Sequence, residues 1–143
     1  MKVFFDTSVL VPAVVDQLKN HSVALEVLAK HTSGKSDGIT STHALAECYS
    51  VLTSLPLPRR VTPAEAQRLI EESIRGRLKV VDLVEADYCA AIEQLARSGL
   101  AGGIIYDALH AVAAQKAGCR RLYTYNVDHL RAVCVDTIVV SAP

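Results

Sequence analysis

A chain of 143 residues, 50% hydrophobic and 21% charged, holds enough apolar material for one packed core and too little charge for disorder. Its 15 basic and 15 acidic side chains cancel, so it lacks the cationic excess of a protein that grips nucleic acid by bulk charge. The cysteines Cys48, Cys89, Cys119 and Cys134 form no CxxC pair, which leaves a zinc ribbon or thioredoxin-like motif without support.

In chain order, "KVFF" reads as a buried strand that ends at Asp6 and the hydroxyl pair Thr7-Ser8. A short helix is predicted over 9–16, with Pro12 accommodated in its first turn. A second covers 22–30, with Asn20 as its cap and Gly34 beyond its end. "DGIT" is a very short strand. "THALAECYSVLTSL" has helical periodicity in Leu45, Cys48, Tyr49, Leu52 and Leu55, and "PLPRR" closes it as a loop. "TPAE" spells a capping box, with Thr62 as cap, Pro63 first in the helix and Glu65 third; that helix runs to about Gly76. "LKVVDL" is a strand, "EADYCAAIEQLARSG" a helix stopped by Gly99, "LAGGII" a loop and "YDALHAVAAQKAG" a helix. "RRLYTYN" and "TIVV" are the last strands.

Strands that alternate with helices define an α/β protein with a mainly parallel sheet. No apolar run spans a bilayer and no basic-then-apolar leader is visible. The expectation is one soluble, cytoplasmic domain over 1–143, its cysteines small core residues in a reducing compartment.

Three acids stand out. Asp6 sits at a strand's carboxyl end, where open parallel sheets bind ligands, although an aspartate there also serves as a helix N-cap. Glu47 interrupts an apolar helix whose charged positions ordinarily face solvent, and Asp107 stands between Tyr106 and "ALHAVAA", where it too can start a helix. Gathered in one crevice, such carboxylates repel and need protons or cations. Hard oxygen donors suit Mg2+ or Mn2+, which activate water and stabilise phosphate transfer. The histidines show no HExxH spacing; His110, one turn after Asp107, is assigned a structural or solvated role. Arg59-Arg60, the 75–79 cluster and Arg120-Arg121 read as solvated charge.

"FFDTSVLV", "THALAECYSVLT", "GGIIYDALHAVAA" and "LYTYNVDHL", in this order and spacing, resemble the PIN-domain family, specifically the VapC-type toxins of bacterial toxin–antitoxin pairs, across essentially the whole chain. The resemblance implies a three-layer sandwich, with a parallel sheet of about five strands and helices on both faces. It implies a metal-dependent endoribonuclease using Mg2+, or Mn2+, a protein antitoxin as partner and a homodimer. Asp6, Glu47 and Asp107 match the family's principal acids, with Asp6 and Asp107 as metal ligands. Thr7 and Ser8 match the small polar pair that steadies the first acid. At the strand-to-helix corner Asn126 matches a supporting polar residue. A fourth acid commonly follows it. Either Asp128 fills that place, or His129 replaces it, or three acids and Asn126 suffice; Asp128 is the choice made here. Two rivals remain. Haloacid-dehalogenase-like phosphatases need a second acid where this chain has Ser8, and a catalytically idle PIN-like module would bind RNA or protein without cutting.

Overall fold

The computed structural model describes residues 1–34 and 37–143. Its strands are β1 (Val3–Phe5), β2 (Gly38–Ser41), β3 (Lys79–Val81), β4 (Arg121–Tyr123) and β5 (Val139–Ser141). They form one sheet in the order β3-β2-β1-β4-β5, with every neighbouring pair parallel. The helices are α1 (Thr7–Val14), α2 (His21–Lys30), α3 (Thr42–Ser54), α4 (Pro63–Leu69), α5 (Glu85–Ser98), α6 (Ile104–Lys116) and α7 (Val127–Val133).

Alternation along β1 divides the core. Val3 and Phe5 face one side with Leu10, Leu28, Leu52 and Ile74, while Phe4 faces the other with Leu95, Leu109, Leu122 and Leu130. A central strand covered on both faces must be apolar throughout, and all three residues of β1 are fully buried. The expected α/β sandwich, with a five-stranded parallel sheet and helices on both faces, is what forms.

The sheet order also locates the site. From β1 the chain steps to β2 and β3 on one side, then crosses to β4 and β5 on the other. The crevice beyond the carboxyl ends of β1 and β4 is thus the point where the winding reverses, the usual ligand position in such sheets. Asp6 follows β1 and Thr124 follows β4; the Asp6 N–H donates to the Tyr123 carbonyl at 3.2 Å.

Local details depart from the pattern in three places. Helix α1 begins two residues earlier than predicted, at Thr7, because Asp6 caps it by accepting from the Ser8 N–H. Thr62 does cap α4, accepting from the Glu65 N–H at 3.1 Å, but the Glu65 carboxylate pairs with Arg59 at 3.2 Å. After Leu69 the helix continues to Arg75 in π form, and the Gly76 N–H reaches back five residues to the Glu71 carbonyl at 2.9 Å. Gly99, at φ 68°, closes α5 in the left-handed conformation that a side chain would resist. Cys48 and Cys119 are buried and Cys134 half-buried, whereas Cys89 is exposed and so is not the core residue expected. No helix among the described residues is long and apolar enough to cross a membrane.

Candidate acidic metal site

A cleft of about 480 Å³ opens at the switch point, lined among others by Asp6, Thr7, Ser8, Glu47, Asp107 and Asn126. The three acids singled out in the sequence therefore share one cavity, although they come from β1, α3 and α6.

Asp6 is 3% exposed. Its carboxylate accepts from the Ser8 N–H and from the Thr124 hydroxyl. The Thr124 oxygen in turn accepts from the Asn126 N–H at 2.9 Å, and the Ser8 hydroxyl oxygen accepts from the Tyr125 N–H at 2.9 Å. The β4–α7 corner is thus tied to the start of α1, and the Asp6 rotamer is fixed by both. The same carboxylate caps α1 and lines the cleft.

Glu47 does not point into solvent. Its Oε1 accepts from Thr7 at 2.6 Å and pairs with His110 Nε2 at 2.9 Å, while Oε2 pairs with His43 Nε2 at 2.9 Å. Burial pushes its pKa up, but the bonds from His110, His43 and Thr7 more than offset this and hold it well below the usual carboxylate range. Such a carboxylate is a fixed negative charge and a poor base. His110, 2% exposed, lines the same cleft: burial favours its neutral form, yet Glu47, Asp6 and Asp107 raise its pKa.

Asp107 has the opposite character. Burial first, then the charge on Asp6, raise its pKa against the weaker pull of His110 and His129. It accepts no hydrogen bond from any described residue, and His129 Nδ1 stands 3.8 Å away. Its oxygens are open to a cation. Two carboxylates with free lone pairs, one of them disfavoured as an anion, are a donor set that fits a hard divalent ion.

His43, Glu47 and His110 place one donor atom each within 4.8 Å of one another and are a second group able to hold a metal, which spacing alone did not reveal. Imidazole nitrogens suit zinc-like ions better than magnesium. A metal on His110 Nε2 would force the ring proton onto Nδ1, which is buried without a partner.

The structure brings Thr7, Ser8 and Asn126 to the cleft with the three acids, but not Asp128, which is exposed and lines no part of it. His129, also exposed, stands 3.8 Å from Asp107. Sequence reasoning gave no function to His43 or Thr124. His43 carried the one available signal, its place one helical turn before Glu47. Cys48, next to Glu47, is no nucleophile: burial and the neighbouring acids push its thiol up to about 12.

An open parallel sheet with acids converging at its switch point defines a class of metal-binding α/β proteins. A model of the PIN domain matches residues 3–135, and the chain belongs to the PIN-domain family. It is 37% identical to "Ribonuclease VapC27" of Mycobacterium tuberculosis over 111 residues, 76% of this chain and 74% of that protein. It is 31% identical to "Ribonuclease VapC40" of the same species over 117 residues, 82% and 81% of the two chains. Among solved structures, M. tuberculosis VapC20, a Sarcin-Ricin loop cleaving toxin, superimposes with a TM-score of 0.73 at 21% identity, covering 94% of this chain and 98% of that one. The DNA-bound VapBC of Salmonella typhimurium gives 0.70 at 21% identity, covering 99% and 98%. These two share the fold.

Proposed function

We propose that this chain is a divalent-metal-dependent endoribonuclease and the toxin of a toxin–antitoxin pair, acting as a single PIN domain over 1–143. The observation that carries the reading is the convergence of Asp6, Glu47 and Asp107 on one cleft at the sheet's switch point. The two relatives named as ribonucleases support RNA as the substrate.

Asp6 and Asp107 would hold Mg2+ or Mn2+, which supplies Lewis-acid charge and a more acidic water at the phosphodiester. Asp6 needs no reorganisation to do so, because Ser8 and Thr124 already hold its carboxylate. Glu47, anionic and held from three sides, orients a water or hydroxyl by accepting its hydrogen bond rather than by taking its proton. Asn126, at the cleft wall, offers an amide to substrate or water. Asp128 stays outside this set unless the corner moves. A cognate antitoxin and a second copy of the chain are the proposed protein partners.

The test is cleavage of an end-labelled RNA panel by the purified protein, with EDTA and then with Mg2+ or Mn2+ restored. Cuts that vanish with EDTA and return with metal support the nuclease. RNA binding without cuts at any metal concentration would instead favour an idle binding module.

A further inference from the structure

The cleft presents an electrostatic difficulty to a polyanion. Among its described lining residues are three carboxylates and no Lys or Arg. The basic residues singled out in the sequence lie elsewhere: Arg59 pairs with Glu65, Arg75 with Glu71, and Arg120 and Arg121 line a separate hollow with Met1 and Val139. A cation at the acids neutralises one phosphate. It does not explain what holds the rest of the strand.

Tyr106 supplies another kind of contact. It lines the cleft one residue before Asp107, yet it is 53% exposed, the largest exposure of any tyrosine or phenylalanine described. Its ring lies flat on the His43 imidazole, with centroids 5.5 Å apart and planes 5° from parallel. A tyrosine held parallel to a neighbouring ring and more than half exposed is a preordered flat surface, costing little entropy when it binds. His43 is itself fixed, through Nε2, to Glu47. Gly102 and Gly103 precede the ring on the α6 side, and a Cβ on Gly103 would meet no atom within 4 Å, so the approach is open. Every nucleobase has a π-face, and stacking on an aromatic side chain binds single strands without regard to charge or sequence.

We propose that Tyr106, backed by His43, is a stacking platform for an unpaired nucleobase beside the scissile phosphate. The proposal rests on the nuclease reading for the cut itself. The platform takes a base only when that base is free of a duplex stack, so the surface selects loops and open strands. Affinity from this source should persist at ionic strengths that abolish phosphate contacts.

The experiment uses an oligoribonucleotide the protein cuts, with 2-aminopurine walked across the positions flanking the cleavage site. Fluorescence is read by stopped flow before cleavage, and kcat and KM are measured in parallel. Quenching at one position is expected for the wild type, with Tyr106→Phe retaining it. Tyr106→Ala and Tyr106→Leu should lose it, and KM should rise by roughly 5- to 100-fold, with a smaller fall in kcat. An annealed duplex of the same sequence should be cut far more slowly. The proposal is overturned if the Ala and Leu variants quench and cleave as wild type does, or if the duplex is cut equally fast; the nuclease reading then survives. Should the wild type cut no RNA, the 2-aminopurine is walked along an unstructured strand, and Tyr106-dependent quenching would leave the platform standing while the nuclease reading fails.

Discussion

Thr124 is buried completely, and its hydroxyl joins three parts of the site. It donates to Asp6, accepts from the Asn126 N–H at 2.9 Å and stands 3.3 Å from the Ser8 hydroxyl. Thr124→Val keeps the shape and deletes these bonds. Losing a donor to an ionised carboxylate costs about 1.5–3 kcal/mol, and stranding a backbone N–H costs about 1–3 kcal/mol more when water cannot reach it. Asn126 is exposed, so water recovers most of the second cost, leaving a net loss of about 2–3 kcal/mol. At about 4 °C per kcal/mol for a chain of this size, Tm should fall by about 8–12 °C in circular dichroism melts. Asp6 also loses its fixed rotamer, so the metal concentration for half-maximal cleavage should rise by about 10- to 100-fold, as for other residues that orient a ligand. Thr124→Ser, which restores the hydroxyl, should recover both. A Thr124→Val protein that melts within about 2 °C of wild type and needs no more metal would refute the idea that this hydroxyl organises Asp6.

Asp6→Asn and Asp107→Asn should each abolish cleavage with the fold retained, as read by circular dichroism. For Asp107 the folded pKa lies above the unfolded one, so its contribution to stability is present at acid pH and is lost as pH rises through the folded value. Metal-free wild type should lose Tm across that window, and Asp107→Asn should flatten the loss. Glu47→Gln should slow cleavage, though less than the aspartate changes, because Gln keeps the shape but not the charge. Its folded pKa lies below the unfolded one, so wild type should lose stability as pH falls below the ordinary glutamate value, and Glu47→Gln should lose less. Asp128→Ala should leave rate and metal requirement within about twofold, since exposed side chains away from a site rarely matter. His129→Ala should alter the metal requirement, because that ring stands beside Asp107. The reverse ranking in a metal titration would restore Asp128 to the site.

Asp6 was legible because strand polarity is local: an apolar run, then an acid, then helix-forming residues. Asp107 was legible for a similar reason. Glu47 was picked out by the apolar helix it interrupts and by the family resemblance, but the contact that holds it inward was not legible, because His110 lies 63 positions away in sequence. Thr124 reads as an ordinary strand residue until β1 and β4 are set side by side. The sheet's five strands could be marked one by one, but α7 could not, because seven residues give too few turns for a period to emerge. The π segment was also hidden, since its residues continue an ordinary helical pattern.

The pairing of β1 with β4 has a bearing on synthesis. Phe5 is partnered by Tyr123, and the Asp6 carboxylate by Thr124, 118 positions later. On the ribosome Asp6 is made 118 residues before the hydroxyl that holds it. Until then β1, the middle strand, has one flank bare and its Phe4 face uncovered by α7. Contacts this distant in sequence close late. An enzyme that cuts RNA, made beside messenger, transfer and ribosomal RNA, thereby stays without a held Asp6 until residue 124 has been made. Truncated chains released before residue 124 would lack the hydroxyl that holds Asp6.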